Sequence, residues 1–485
     1  MEGGIAMNVS RRGFLAGSIG IALADQLPSI HAATGELHYL TLRDAAARIR
    51  SKALSPVELT QAILARIDHV EPKVHAFITI TREHAVDAAR AAEREIAAGR
   101  YRGPLHGIPV AVKDTHYTKG IKTTCASPVL ADFVPSFDAT VVTKLKNAGA
   151  ILIGKTNLPE FSSGSSGNGT NNPWNLAKPT GGSSAGNAAG LGAGMFFGAS
   201  GGDTGASIRG PAALCGVVGL KPTYGRVSGY GVMKLSWSVD HVGPMTRTVE
   251  DNAIMLDVLA GHDPEDWASA DVPVPDYTRA LRRGVRSLRI GIPKGPMIEG
   301  FHADELKAFD QAVRVFQKLG ARVSEFDFPP TLAVMGDAHN IIRICEAASY
   351  HEPFLANKAE LYGPSMVRRD VEAGSLITAG QYLRAQKVRK IFVKQMLAIF
   401  NGFDVMITPE SVPAGEPTRA ALNPHSPFND TGFPGMAVPA GFSTSPPGLP
   451  LSIQIVGKPF DEETVYAAGY AYEAETRFHE QRPPL

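Results

Sequence analysis

The sequence predicts an α/β protein with a largely internal sheet. Three observations point there: strand-like and helical stretches alternate, the strands read as short continuous apolar runs, and glycine-rich turns separate them. Ser55-Pro56-Val57-Glu58 is a helix start, in which Ser55 can cap, Pro56 suits the first turn and Glu58 closes a capping box. Leu59, Ile63, Ile67 and Val70 then recur at helical spacing. Phe77–Ile80 reads as a strand and residues 82–98 as a second helix. Ile108–Val112 reads as a buried strand running into Lys113-Asp114, residues 139–147 as a helix stopped by Gly149, and Ile151–Gly154 as another buried strand.

The segment Gly181–Gly210 holds 11 glycines in 30 residues, which permits positive φ and close backbone approach. Within it we expect a strand near Ala193–Ala199 between two glycine-rich loops. Residues 271–285 turn Pro- and Arg-rich, and Leu288–Ile292 starts a new strand, yet the pattern favours one continuous domain over residues 34–485. Further on, residues 380–400 read as helix, while Val405–Pro409 and Leu451–Val456 read as strands flanking a loop-rich stretch, Ser411–Pro434.

Composition narrows the function. Of 485 residues, 44% are hydrophobic and 20% charged, and the formal net charge is +1. That is the profile of an ordinary globular protein, without the basic stripe a nucleic-acid partner requires. The three cysteines, Cys125, Cys215 and Cys345, are odd in number and widely spaced, so they do not form a disulfide framework. Cys215 lies in an apolar run and reads as a core thiol. No CxxC or HExxH pattern occurs, so no metal is expected.

Residues 1–33 read as a twin-arginine export signal. Arg11 and Arg12 precede a short apolar run, and small residues close the region at His31-Ala32-Ala33. The run is shorter than the roughly 20 apolar residues of a membrane span. The expected location is therefore periplasmic or secreted.

A serine hydroxyl needs a base before it attacks. None of the 14 histidines sits in a sequence context that marks it as that base, and His106, His116 and His241 read as structural. Gly164-Ser165-Ser166-Gly167 does not fit Gly-x-Ser-x-Gly, and the glycine-rich loops lack a Walker lysine. Four blocks then appear in order: Gly107-Ile108-Pro109-Val110-Ala111-Val112-Lys113-Asp114, Gly181-Gly182-Ser183-Ser184-Ala185-Gly186, Gly202-Asp203-Thr204-Gly205-Ala206-Ser207-Ile208-Arg209-Gly210-Pro211, and Gly219-Leu220-Lys221-Pro222. Together they resemble the amidase signature family over residues 105–262, and more loosely to the C-terminus. Within that family the stretch is most similar to the A subunit of glutamyl-tRNA(Gln) amidotransferase.

The resemblance implies a large mixed central sheet wrapped by helices and an amidohydrolase acting on linear amide C–N bonds without a cofactor. It implies Ser207 as acylating nucleophile, Ser183 as a bridging serine on a cis peptide after Gly182, and Lys113 as the base. The amides of Thr204, Gly205, Ala206 and Ser207 would form the oxyanion hole, with Ser184, Asp203 and Arg209 in support. A lysine base must be neutral, and an apolar strand before Lys113 would desolvate it. The chain departs from the family at Ala185-Gly186-Asn187, usually Gly-Gly-Ser, and at Ala206, often Gly. It also carries Leu422 where the A subunit places an acidic residue that recognises glutamine. Combined with the export signal, these features lead us to expect an exported serine amidase hydrolysing small carboxylic amides, with esters or carbamates as further substrates and a homodimer left open. The alternative is the A subunit of a glutamine-dependent tRNA amidotransferase. Loops Ser127–Ser136 and Ser411–Pro434 are expected to frame the substrate.

Overall fold

The computed structural model describes residues 37–164, 168–363, 365–410 and 424–485. The twin-arginine segment, Ser165-Ser166-Gly167 and Leu422 lie outside them. In chain order the strands are β1 (Phe77–Ile80), β2 (Pro109–Lys113), β3 (Ile151–Thr156), β4 (Asn171–Asn172), β5 (Asn175–Pro179), β6 (Gly198–Asp203), β7 (Val218–Lys221), β8 (His241–Thr246), β9 (Arg289–Pro293), β10 (Arg322–Phe326), β11 (Val405–Pro409), β12 (Gly435–Thr444) and β13 (Pro447–Gly457). Eleven of them form one sheet in the order β1-β3-β2-β6-β8-β7-β12-β13-β11-β9-β10, and β4 pairs with β5 in a small hairpin. The sheet is mixed. β2 runs parallel to β3 and β6, whereas β8, β7, β12 and β13 pair antiparallel. This is the large mixed sheet wrapped by helices that the resemblance implies.

The central strands are apolar because helices cover both faces, which removes the alternation of a half-solvated strand. Every residue of β2 is buried, Lys113 included. Leu37–Leu485 clusters as one compact unit. The helix over Pro56–Val74 starts where expected, with Ser55 Oγ accepting from Val57 and Glu58 amides. The Ser55 hydroxyl donates to Glu93, and no return bond from the Ser55 amide to the Glu58 side chain completes the expected box among the described residues.

The glycine-rich segment differs from its expected form. Residues Ala185–Gly192 form a helix, and the strand falls later, at Gly198–Asp203 rather than Ala193–Ala199. Alanine and glycine give that helix little amphipathic signal, and it is buried on every side. Its glycines are there for close approach: a β-carbon on Gly186 would sit 2.1 Å from the Ala76 carbonyl oxygen, and one on Gly190 would sit 2.4 Å from the Phe196 ring. The helix stands on tertiary packing rather than on propensity.

Candidate active site

β2 and β6 are parallel neighbours, so Lys113 and Asp203 emerge at the same edge of the sheet, at the carboxyl ends of their strands. That is where crossover connections in parallel sheet open a crevice. The loop after Asp203 carries Thr204, Gly205, Ala206 and Ser207 and leads into the helix Arg209–Leu214. Ser183 arrives from the other side, ahead of the helix Ala185–Gly192, and the Gly182–Ser183 peptide is cis.

Lys113 Nζ lies 2.7 Å from Ser183 Oγ, and both side chains are 1% exposed. Burial lowers the Lys113 amine to about 7, against the pull of the Asp240 and Asp203 carboxylates, which favour its charged form. Ser184 ties the two loops together: its amide donates to the Ser207 carbonyl at 3.0 Å, and its hydroxyl donates to the Gly202 carbonyl at 3.1 Å. Thr204, Gly205, Ala206 and Ser207 line a cavity of about 540 Å³, together with Gly182, Ser163 and the helix over Leu332–Lys358. Lys113, Ser183, Ser184, Asp203, Arg209 and the Thr204–Ser207 loop are thus gathered at one edge of the sheet.

Asp203 is the anchor of the loop. Its Oδ2 accepts from the Ile208 amide at 3.0 Å and from Arg209 Nε at 3.0 Å, and its Oδ1 accepts from Arg209 Nη2 at 3.0 Å. Burial alone would raise this carboxyl, but the Arg209 charge and hydrogen bonds outweigh it and hold Asp203 well below the ordinary carboxylate range. Arg209 is itself gripped from the C-terminal part of the chain, donating to Asn429 Oδ1 and, at 2.6 Å, to Gln454 Oε1. Asn429 Nδ2 donates in turn to Asp203 Oδ1 at 2.8 Å. At the departing position Asn187, the side chain donates to the Ser200 carbonyl at 3.0 Å and accepts from Thr156, binding β3 to β6 beneath the site.

Sequence reasoning missed Asn429, Gln454, Asp240 and His339. Thr204 Oγ1 donates to Asp240 Oδ1 at 2.7 Å, and Asp240 Oδ2 accepts from the Leu235 and Ser236 amides. Asp240 therefore holds the loop through Thr204, and burial raises its carboxyl. A lone Asp before β8 gives no local signal of that role. The histidines expected to be structural are each engaged by a neighbouring polar group. His116 Nε2 lies 3.0 Å from Ser200 Oγ, His241 Nδ1 lies 2.7 Å from the Val239 carbonyl, and His106 Nε2 lies 3.3 Å from Glu95. Burial lowers all three, His116 and His241 strongly. Burial likewise pushes the Cys125 and Cys215 thiols up, away from the reactive thiolate.

Of the two loops expected to frame the substrate, the second contributes Ser426 and Pro427 to the cavity. Residues of Ser127–Ser136 line a different cavity, with Phe354 and Lys358. The wall is supplied instead by the helix Leu332–Lys358, whose polar residues carried no local mark of a site. Among the described residues, no helix is long and apolar enough to cross a membrane.

Residues 58–466 match the family Amidase. The chain is 42% identical to the A subunit of glutamyl-tRNA(Gln) amidotransferase from Carboxydothermus hydrogenoformans, over 93% of this chain and 100% of that one. It is 43% identical to the corresponding protein of Geobacter metallireducens, over 92% and 99%. Among solved structures, the peptide amidase of Stenotrophomonas maltophilia superposes with a TM-score of 0.82 at 30% identity, covering 92% of this chain and 98% of that one. The A subunit of the Thermotoga maritima amidotransferase superposes with a TM-score of 0.75 at 33% identity, covering 90% and 95%. These relatives overturn the expectation of a hydrolase whose partner is a small carboxylic amide. Identity at this level over nearly the whole length of both chains favours the amidotransferase reading. From residue 58 to residue 466, through the sheet, the Lys113–Ser183 contact and the Asp203–Arg209 anchor, this chain belongs to the amidase family, amidohydrolases acting on linear amide C–N bonds.

Proposed function

We propose that this chain carries out the amide-cleaving half-reaction of a glutamine-dependent tRNA amidotransferase, in the role of its A subunit. The observation that carries the reading is the 42–43% identity to that protein over 92–93% of this chain and 99–100% of its relatives. In this reading Ser207 Oγ attacks the carboxamide carbon of glutamine. Its proton passes through the Ser183 hydroxyl to neutral Lys113, 2.7 Å beyond. The amides of Thr204, Gly205, Ala206 and Ser207 hold the negative charge that develops on the carbonyl oxygen, and one such donor is worth roughly 3–4 kcal/mol. Ser184, Asp203 and Arg209 keep that loop in place. The C–N bond breaks, the nitrogen takes the proton back through Ser183 and leaves as ammonia, and water then releases glutamate from the Ser207 ester.

The test is ammonia release from glutamine by the purified chain, alone and with the other subunits of such an enzyme and glutamyl-tRNA(Gln). Stimulation by the partners and transfer of the ammonia to the tRNA-bound glutamyl group are expected. A protein that is acylated at Ser207 by a fluorophosphonate, yet leaves glutamine intact with and without partners, would overturn the assignment while preserving the amidohydrolase chemistry. Location is a second check, because the twin-arginine segment and a role in tRNA charging make opposite demands.

A further inference from the structure

The helix Leu332–Lys358 presents one face to the cavity, with Leu332, Met335, Gly336, His339 and Arg343 recurring at spacings of three and four. His339 is the buried polar group on that face, 6% exposed. Its Nδ1 lies 3.0 Å from Asp430 Oδ1. Asp430 is 1% exposed, and its Oδ2 has no hydrogen-bond partner among the described residues. The other end of the ring faces the loop after β6: a β-carbon on Gly205 would lie 3.2 Å from His339 Nε2. A carboxylate accepts and does not donate, so Nδ1 carries the proton toward Asp430 and Nε2 is the ring nitrogen left facing the Gly205 loop and the cavity.

The neighbouring charges favour a donor there. Arg343, one turn further along, is matched by Asp370, which also accepts from Ser163 Oγ at 2.8 Å. Arg389 lies behind Asp430, and its guanidinium is engaged by the Asp430 carbonyl, Ser238 Oγ and the Ser238 carbonyl. Asp337 adds an exposed carboxylate on the cavity face.

We propose that His339, held by Asp430, is a specificity-determining residue whose Nε2 accepts a hydrogen bond from an amine of the substrate's acyl part. The site then favours carboxamides that carry such an amine over their des-amino analogues. Asp430 is the positioning residue that fixes the ring. The inference rests on amide hydrolysis at Ser207, and glutamine, the donor in the proposed reaction, carries an amine of this kind.

The experiment compares kcat and KM of wild type, His339→Phe, His339→Gln and Asp430→Asn on two substrate pairs: glutamine against 4-carbamoylbutanoate, and 4-aminobutanamide against butanamide. His339→Phe is expected to raise KM for the amine-bearing member about tenfold more than for its partner, the size of one hydrogen bond to a charged group. His339→Gln, whose amide oxygen can accept, should recover part of that ratio, and Asp430→Asn should lose part of it. Fluorophosphonate labelling of Ser207 reports damage common to all substrates. Equal KM changes within both pairs, or a larger change for the des-amino members, overturn the inference. Hydrolysis of glutamine with no His339 dependence leaves the amidotransferase reading intact and sinks this one. An untouched glutamine with a His339-dependent preference in the second pair does the reverse.

Discussion

Lys113 links stability and chemistry through one proton. Its amine is 1% exposed, 2.7 Å from Ser183 Oγ, and lowered by burial from 10.5 to about 7. At about 1.4 kcal/mol per pH unit, that displacement corresponds to about 5 kcal/mol against the charged form in the fold. The unfolded lysine holds its proton up to about 10.5 and the folded one releases it near 7, so between these values unfolding takes up a proton. Stability therefore rises with pH across that window, and the full penalty applies below pH 7. Lys113→Met removes the titrating group, and its Tm should exceed that of wild type most at pH 6, with the gap closing as pH approaches 10. Activity also rises with pH. With a value near 7, about a tenth of the lysine is neutral at pH 6 and about nine-tenths at pH 8. Acylation of Ser207 by a fluorophosphonate should climb about tenfold between those pH values in wild type and flatten above them. It should fall roughly 10²–10⁴-fold in Lys113→Met, and Lys113→Arg should not restore it, because guanidinium keeps its proton. The assay is stopped-flow or gel-based labelling beside thermal melts from pH 6 to 10. An acylation rate that is flat from pH 6 to 9, or an active Arg variant, refutes the lysine-base reasoning.

Ser207→Ala should abolish labelling and turnover with an unchanged melt; labelling that persists on another serine removes Ser207 from its role. Asp203→Asn leaves Arg209 buried without its carboxylate, so a loss of about 3–5 kcal/mol in denaturant unfolding is expected. An unchanged midpoint would show that the pair is not the anchor. Gly186→Ala drives a methyl to 2.1 Å from the Ala76 carbonyl oxygen and should cost about 3 kcal/mol or more, read as a lower Tm; a neutral substitution would contradict the tight helix contact. Fractionation of cells expressing the whole chain should find it at full length in the cytoplasm if it serves in tRNA amidotransfer. A processed form outside the cytoplasm, lost when Arg11 and Arg12 become Lys, would refute that role and leave the amide chemistry standing.

Much of the architecture was legible because local chemistry determines it. Ile108–Val112 reads as a strand from its uninterrupted apolar run, and Ser55-Pro56 marks a helix start whatever lies beyond it. The four blocks around Lys113, Ser183, Ser207 and Lys221 carry their residue types in order, so the family and the candidate site residues could be named from sequence. The helix Ala185–Gly192 could not be read, since glycine and alanine carry neither amphipathic period nor cap, and only the close approach of Ala76 and Phe196 explains it. Tertiary structure alone decided which distant groups meet. The order β3-β2-β6-β8 puts Lys113 and Asp203 on adjacent strand ends. β13 brings Gln454 across 245 residues to Arg209, and the helix Leu332–Lys358 swings His339 over the Gly205 loop to meet Asp430, 91 residues away. Propensity and periodicity act over a few residues, whereas these contacts follow from sheet order and from the pairing that buried charge requires. For that reason the candidate residues Lys113, Ser183, Asp203, Ser207 and Arg209 could be named from the sequence, while Asn429, Gln454, Asp240 and His339, which meet them from distant elements, could not.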